Sequence, residues 1–321
     1  MRRTFYLGAF ITIFFLGLGK AKAQDFFLTQ GFASPLSLNP ALTGITGGYR
    51  TSLFCENYDL SYGRSTTTGI SYDQYVPKIR SGLGIQYIYD KKNEELQFQH
   101  FEVTNSTTFT IKKDFLIKTA LNVSYVISRW NCPVSGTIIQ DPYGHIIFIH
   151  NAPPEEIWLL RKYYLNLGAG ILIAKKNHII GFAIDHFNRP DIGFICLHRI
   201  PISYTLHWSS QFNLGKMALL SPNIIFQSQG NTGHLQLSMH SRIKYLVAGT
   251  GATFNTFRGR WDKIYGLLGL QIKWVNLQYS ANFDVTVHFA NHVPSHQISL
   301  YCKFQRKEKT VTFPTQEING F

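Results

Sequence analysis

Long runs in which apolar and polar residues alternate one by one are the feature that most limits how this chain can fold. From Val275 to Val287 the odd positions hold Val, Leu, Tyr, Ala, Phe, Val and Val, and the even positions hold Asn, Gln, Ser, Asn, Asp and Thr. The run from Phe115 to Ile127 has the same period, with a second face that is mostly small or polar. A period of two places successive side chains on opposite faces of a β-strand, and a helix cannot produce it. The chain is therefore predicted to be all-β.

About fourteen segments show this alternation. Their predicted starts lie near Tyr49, Ser65, Ser81, Gln97, Phe115, Tyr163, His178, Ile202, Met217, Gly233, Tyr245, Ile264, Val275 and His296. From the third strand onward, long and short connections are predicted to alternate, as in Asp90–Leu96 followed by the tight turn at 112–114, with a less sharp rhythm in the later connections. Transmembrane barrels have short periplasmic turns at one rim and longer external loops at the other. The pattern predicts a transmembrane antiparallel outer-membrane β-barrel of about fourteen strands.

The polar faces of these strands indicate what surrounds the sheet. They include Glu102, Lys118, His207, His240 and Asp284, which a packed soluble core could hardly satisfy. In a barrel lumen these groups can pair with one another or with water, while the apolar face meets lipid. The alternative is a large soluble β-sandwich with one hydrated outer face.

The N-terminus indicates export. Arg2 and Arg3 precede an apolar run from Phe5 to Leu18, and Ala21-Lys22-Ala23 is a small-x-small cleavage site. This order is typical of a secretory signal peptide, since the apolar run is short for a membrane-spanning helix. The predicted organisation is a signal peptide at 1–23, an N-terminal periplasmic segment at 24–48, the barrel at 49–304 and a periplasmic C-terminal tail at 305–321. The tail is either disordered or docked on a partner.

The chain is basic, with a formal net charge of +13. Such a charge suits nucleic acid, anionic lipid or acidic proteins, and export argues against nucleic acid. Basic residues recur in the predicted short turns, at Lys112, Lys113, Lys175, Lys176, Lys216, Arg242, Lys244 and Lys273. They either keep tight turns soluble or form a ring that docks an acidic periplasmic partner.

No catalytic or metal-binding motif is evident in the sequence. The nucleophile elbow G-x-S-x-G, the P-loop and a full G-x-G-x-x-G are absent, so no enzyme and no cofactor are predicted. His288, His292 and His296 recur every four residues, but Pro294 lies among them and the region is read as strand and loop. A metal site is therefore not predicted.

The four cysteines do not form a disulfide scaffold. Cys132 and Cys196 are predicted in loops on the same side, where they could be bridged or free. Cys55 and Cys302 are predicted within strands as free, apolar-facing thiols.

Several phrases, in order along the chain, resemble the PorP/SprF family of outer-membrane proteins of the type IX secretion system of Bacteroidetes. Residues 34–41 (SPLSLNPA) resemble the family's "NPLYLNPA", and residues 140–144 (QDPYG) its "DQIDPRYG". The strongest match is residues 185–191 (DHFNRPD) with "HHLNxPD", followed by residues 199–207 with "RLPxxxTxH". Asp185 departs from the family's second His, which leaves the subfamily open.

The matching positions are candidate site residues of unknown role: Asn39, Pro40, Asp141, Pro142, His186, Asn188, Pro190, Asp191, Pro201, His207 and His296. Asn39-Pro40 is predicted to form a turn or cap near the periplasmic mouth. His186, Asn188 and Pro190 are predicted at the top of one strand, where they could fix the next external loop.

The resemblance implies a non-enzymatic component or accessory of type IX secretion that supports export or surface retention of a partner such as an adhesin. The implied partners are the secretion machinery at the periplasmic rim, a secreted or surface protein at the external loops, and the outer-membrane bilayer. The main alternative is a porin or substrate-specific channel, because fourteen strands enclose substantial space. An outer-membrane enzyme is a third option.

Overall fold

The computed structural model describes residues 27–60, 63–93, 95–112, 114–133, 138–140, 146–148, 157–215, 218–285 and 294–304. Almost all of them are β-structure. The strands are β1 (Tyr49–Leu60), β2 (Gly63–Val76), β3 (Ser81–Lys92), β4 (Leu96–Lys112), β5 (Phe115–Pro133), β6 (Ile138–Gln140), β7 (Ile146–Phe148), β8 (Ile157–Lys175), β9 (His178–Asp185), β10 (Ser203–Ser210), β11 (Phe212–Leu214), β12 (Ala218–Gln229), β13 (Thr232–Ile243), β14 (Leu246–Asn255), β15 (Arg260–Ile272), β16 (Val275–Asp284) and β17 (Ser295–Phe304). No helix within these ranges is long and apolar enough to cross a bilayer.

The strands close into one antiparallel barrel. Neighbours in sequence pair around the wall, β1 pairs with β17, and β10 pairs with β12 to complete the circle. β10 and β11 both pair with β12 and form one barrel strand interrupted at Gln211. β6 and β7 form a separate hairpin in the connection between β5 and β8. The barrel therefore has 14 strands, as predicted.

The predicted strand starts agree with the structure to within a few residues, with two larger differences. β8 begins at Ile157 rather than Tyr163, and β15 at Arg260 rather than Ile264. In both cases the hydrogen-bonded ladder continues beyond the part of the strand where apolar residues alternate. The alternation marks the part that faces lipid, whereas the strand itself extends past it.

The connections differ between the two rims. At the short-turn rim six connections each have four residues or fewer (77–80, 113–114, 176–177, 215–217, 244–245 and 273–274). Lys176, Lys244 and Lys273 have positive φ in these turns. The long-loop rim carries the connections 134–156, 186–202 and 285–294.

The alternation of long and short connections is less strict than predicted. Connections 93–95, 230–231 and 256–259 at the long-loop rim are also short. The prediction of a long Asp90–Leu96 loop was wrong, because β3 continues to Lys92 and pairs there with Leu96 of β4.

The two faces of the wall have opposite polarity. Leu121 and Leu268 are each 64% exposed on the outside, while Lys118 and Gln297 are fully buried inside. A soluble protein would bury the apolar set, whereas a bilayer solvates it. The predicted lumenal residues His207 and His240 are also buried. This polarity is that of a membrane barrel and excludes the soluble sandwich.

Aromatic rings lie at the short-turn rim on the outer face. Trp274 and Tyr245 are exposed in neighbouring turns, and the Trp274 ring stacks on Phe304 with centroids 4.9 Å apart. Rings of this kind favour the interface between lipid and water. They mark the level at which the bilayer ends on this side.

Candidate functional site

The segment before β1 lies inside the barrel. Residues 28–46, which we call the plug, contain three short helical turns at Gly31–Ala33, Pro35–Leu38 and Pro40–Leu42. Almost all of its side chains are buried, including Leu36 and Ile45. The prediction that residues 24–48 form a periplasmic segment therefore fails for residues 28–46. The boundaries predicted for the signal peptide and the tail lie outside the described residues.

Apolar contacts hold the plug in an otherwise polar lumen. Its core consists of Leu38, Ala41, Leu42 and Ile45 on the plug and Tyr75, Leu116, Ala120, Leu172, Ala174, Ile179 and Ile225 on the wall. Burial of each large aliphatic side chain contributes roughly 1.5–3 kcal/mol. The signal for this contact was present in the sequence, because Leu116 and Ala120 interrupt the polar face of β5.

Hydrogen bonds fix the first part of the plug. The backbone N–H of Gln30 donates to Gln297 Oε1 (2.7 Å), and its side-chain amide donates to Ser280 (2.9 Å) and accepts from Ser299 (2.8 Å). Thr29 next to it donates to Glu56 through its hydroxyl (2.6 Å). The plug therefore supplies hydrogen-bond partners to these lumenal polar groups.

A buried ion pair holds the last part of the plug. Arg50 Nε donates to Asp73 Oδ1 at 2.7 Å, and both side chains are almost fully buried. The remaining Asp73 oxygen accepts from the backbone N–H of Gly44 (2.6 Å), and Arg50 Nη2 donates to the carbonyl of Leu42 (3.2 Å). A buried pair is stable only when its other donors and acceptors are also paired. Here the backbone of the plug pairs them.

Asn39 joins the plug to the far wall. Its Oδ1 accepts from the N–H of Ala41 (2.8 Å), which caps the turn Pro40–Leu42. Its Nδ2 donates to the carbonyl of Ile171 (3.2 Å) and contacts His207 Nε2 (3.1 Å). The structure thus brings together two of the predicted site residues, Asn39 and His207. The predicted cap is present, but it lies inside the lumen.

Two wall glycines make room for this junction. A Cβ on Gly170 would lie 2.2 Å from Asn39 Oδ1 and 3.0 Å from Pro40, and a Cβ on Gly181 would lie 2.1 Å from His207 Nε2. No side chain fits at such distances. The strand glycine Gly170 therefore makes room for a bulky neighbour.

A second group of predicted residues fixes the 186–202 loop at the long-loop rim. β8 is longer than β9, and their pairing ends at Ala169. Beyond that point Asn188 bonds to the exposed edge of β8, accepting from the N–H of Leu167 (3.1 Å) and donating to the carbonyl of Leu165 (2.8 Å). His186 Nδ1 contacts Asn166 Oδ1 at 2.6 Å. These contacts fasten the loop to the barrel wall.

Asp191 organises the middle of the same loop. One oxygen pairs with Lys162 (2.5 Å), and the other accepts from the backbone N–H of Gly193 (3.1 Å) and His198 (2.8 Å). Burial raises the pKa of the Asp191 carboxyl, but the Lys162 and backbone hydrogen bonds outweigh it and hold the pKa below its usual range. The carboxylate thus closes the turn around Gly193.

The two prolines of the motif contribute carbonyl groups. The Pro190 carbonyl accepts from the N–H of Ile200 (3.1 Å), and the Pro201 carbonyl accepts from Gln229 Nε2 (3.4 Å). Ile192 and Ile200 form a small core beneath the loop together with Tyr164 and Phe194. The loop is therefore a packed surface with a defined shape.

The remaining candidates are dispersed. His296 lies on the outer face, where it stacks on Tyr279 and contacts its hydroxyl (2.7 Å). Asp141 and Pro142 lie outside the described residues, as do His288 and His292. Among the described residues no group of His, Cys, Asp or Glu could hold a metal ion.

The cysteine predictions are tested in part. Cys55, Cys196 and Cys302 are free thiols, and Cys196 is exposed in the 186–202 loop. Cys55 and Cys302 lie within strands, as predicted. The prediction of Cys132 in a loop was wrong, because β5 continues to Pro133 and pairs Cys132 with Trp158 of β8. The side chain of Cys132 is outside the described part of the structure.

The fold is similar to that of a solved outer-membrane transporter. The crystal structure of the Ralstonia pickettii toluene transporter TbuX is 10% identical over 84% of this chain and 93% of that chain, with a TM-score of 0.51. The Pseudomonas putida toluene transporter TodX is 10% identical over 90% of this chain and 97% of that chain, with a TM-score of 0.48. At this identity the likeness concerns the fold alone. No curated protein matches the chain by sequence.

The family comparison covers the plug and most of the barrel. The model described as type IX secretion system membrane protein PorP/SprF matches residues 20–301. This range includes the Asn39–His207 junction and the 186–202 loop, so it confirms the resemblance noted from the sequence. The chain belongs to the PorP/SprF family of type IX secretion system membrane proteins.

Proposed function

We propose that this protein is a non-enzymatic outer-membrane accessory of type IX secretion that supports export or surface retention of a partner protein such as an adhesin. The observation that carries the proposal is the plug. Residues 28–46 occupy the lumen and bind both sides of the wall, through Arg50 and Asp73 on one side and His207 on the other. A barrel closed in this way acts through its surfaces rather than through a pore.

The two rims supply different surfaces for this role. The packed 186–202 loop, with its polar clamp and its small core, offers a rigid face to a secreted or surface partner. The short-turn rim carries Lys176, Lys244 and Lys273 in turns, which suits an acidic partner in the periplasm. The barrel fold and the family support an outer-membrane location, with cleavage of a signal peptide after Ala23 and a periplasmic tail at 305–321 as parts of the same proposal.

The test compares the secreted and surface proteomes of the parent bacterium and a deletion strain. Loss of one or a few large surface proteins indicates a dedicated accessory, and loss of every type IX substrate indicates a core component. Return of the lost proteins on complementation is the control. An unchanged proteome would refute the secretion role.

The porin alternative is tested separately by single-channel recording of the purified protein. A barrel closed by its plug should conduct little. Steady conductance of porin size would favour the channel.

A further inference from the structure

The two-stranded ribbon of β5 and β8 extends beyond its neighbour at the long-loop rim. β5 and β8 remain paired up to Pro133 and Ile157, whereas β9 pairs with β8 only as far as Ala169. On this side β8 is therefore an edge strand over residues 157–168. The backbone groups of an edge strand form a ready template for another extended chain.

The start of the 186–202 loop covers the lower part of this edge as a neighbouring strand would. The N–H of Phe187 donates to the Leu167 carbonyl (3.2 Å). The side-chain amide of Asn188 accepts from the Leu167 N–H (3.1 Å) and donates to the Leu165 carbonyl (2.8 Å). An amide side chain thus takes the position that a peptide group would have in an adjacent strand.

The edge stays open beyond this cap. Successive residues of an antiparallel strand direct their backbone N–H and C=O groups to opposite sides. The register of β5 and β8 is regular here, so Leu159, Arg161 and Tyr163 direct theirs to the same side as Leu165. These backbone groups have no hydrogen-bond partner among the described residues, and the side chains beside them are exposed. An extended chain running antiparallel to β8 would pair with them at the spacing of a ladder.

The open part of the edge lies at the outer boundary of the bilayer and beyond it. On the outer face Tyr163 stacks on Tyr125 of β5, with ring centroids 6.4 Å apart. Aromatic rings of this kind favour the interface between lipid and water. Leu159 and Arg161 precede Tyr163 along β8 and therefore lie further from the membrane. A chain in the external medium can reach them.

The charge around the edge indicates which chain fits it. Arg161 and Arg189 are exposed, whereas Asp191, the carboxylate of the same loop, is already paired with Lys162 (2.5 Å). Two copies of this chain joined edge to edge would bring their arginines together, and like charges directly opposite each other destabilise a pair of strands. A strand with acidic side chains is complementary to these arginines instead.

We propose that a secreted or surface partner adds an extended, acidic segment to the edge of β8 at residues 159–163, as one more antiparallel strand. The inference rests on the proposed role in secretion, because it requires a partner delivered to the external face. In strand addition the main-chain hydrogen bonds supply the affinity. Loss of the Arg161 N–H should therefore matter more than loss of the Arg161 side chain.

The first test compares Arg161→Pro with its matched control Arg161→Ala, each expressed in the deletion strain. Proline removes the N–H and places its ring at the open edge, but it spares the ladder with β5, because this N–H faces away from β5. Alanine keeps the N–H. The surface proteins that are lost on deletion should return with Arg161→Ala and remain about tenfold or more below the parent level with Arg161→Pro. Equal return in the two variants would overturn the strand site.

The second test does not require the identity of the partner. Hydrogen–deuterium exchange is measured on the purified full-length protein and on outer-membrane vesicles of the parent bacterium. The even-numbered amides of residues 160–164, which bond to β5, should be protected in both preparations and serve as the control. The amides of Leu159 and Tyr163 should exchange about tenfold or more slowly in the vesicles than in the purified protein, and Arg161→Pro should abolish this difference. Fast exchange in both preparations, or protection that persists in Arg161→Pro, would overturn the proposal.

The two tests separate the strand site from the secretion role. If deletion leaves the surface proteome unchanged, the secretion role fails, and protection of the edge in the vesicles would then show strand addition without it. A dimer in mild detergent that is lost in Arg161→Pro and kept in Arg161→Ala would identify a second copy as the occupant and overturn the proposal. If Arg161→Pro does not accumulate in the outer membrane, Leu159→Pro on the same edge, further from the bilayer, takes its place.

Discussion

The Asn39→Ala substitution tests whether the plug is held by its junction with the far wall. The change removes the cap on Ala41 and the hydrogen bond to the Ile171 carbonyl, and it leaves His207 Nε2 without its partner. Each hydrogen bond contributes about 0.5–1.5 kcal/mol, and a buried group left unpaired costs about 1–3 kcal/mol. The free energy that favours the plug in the lumen over a displaced plug should therefore fall by roughly 3 kcal/mol.

A loss of this size changes the population of open barrels measurably. Since about 1.4 kcal/mol corresponds to a factor of ten, the fraction of time with a displaced plug should rise roughly 100-fold. The apolar core around Leu42 and Ile45 remains, so the plug should still be seated most of the time. Single-channel recording in planar bilayers would detect this change as rare openings that become frequent.

The control is Asn57→Ala. Asn57 lies on β1, the strand that follows the plug. Its side chain faces outward and accepts a hydrogen bond from Thr66 (2.7 Å). This variant should conduct like the native protein. If the Asn39→Ala barrel opens no more often than the Asn57→Ala barrel, the junction between Asn39 and His207 does not hold the plug in place.

Three further predictions concern the same contacts. Asp73→Asn should destabilise the folded barrel by about 3–5 kcal/mol in urea unfolding, because it leaves the buried charge of Arg50 unpaired; Asp73→Asn combined with Arg50→Met should recover much of the loss, and no recovery would contradict the reasoning. Gly170→Ala should increase conductance as Asn39→Ala does, since the new Cβ would occupy the space of the Asn39 side chain. Unchanged conductance would show that the barrel wall shifts to accommodate the added methyl group. The pKa of Asp191 is lowered in the folded loop, so its stabilisation is complete above about pH 4 and is lost as the pH falls through the folded-state pKa. Amide protection of Gly193 and His198 should therefore drop in acid, and Lys162→Met should shift that drop to higher pH.

The barrel could be predicted because its solvent imposes one rule on every strand. Lipid requires apolar side chains at alternate positions. A run such as Val275–Val287 therefore indicates both that the segment is a strand and which of its faces points toward lipid. The alternation ends where the strands extend beyond the bilayer. For this reason the start of β8 at Ile157 and the continuation of β3 to Lys92 were missed. Ladder pairing beyond the bilayer leaves no period in the sequence.

The plug was missed for a different physical reason. Residues 28–46 have no period, and their place depends on contacts between positions far apart in sequence, such as Asn39 with His207 and Gln30 with Gln297. A single sequence does not indicate such pairs. The local sign of the plug in the sequence is indirect, since it lies in the wall strands and not in the plug itself. Leu116, Ala120 and Leu172 are apolar residues on a face that should be polar, and in a water-filled lumen they would have no partner.

Those interruptions connect the plug with the function of the barrel. An open channel would gain nothing from apolar residues on its lumenal face, since exposing them to water is unfavourable. Tyr75, Leu116 and Leu172 become favourable only when the plug covers them, and Gly170 and Gly181 are needed only when Asn39 and His207 meet. The wall and the plug are thus complementary in shape and in polarity. A lumen built to hold its own N-terminal segment leaves the loops and the turns as the surfaces through which this protein can act on others.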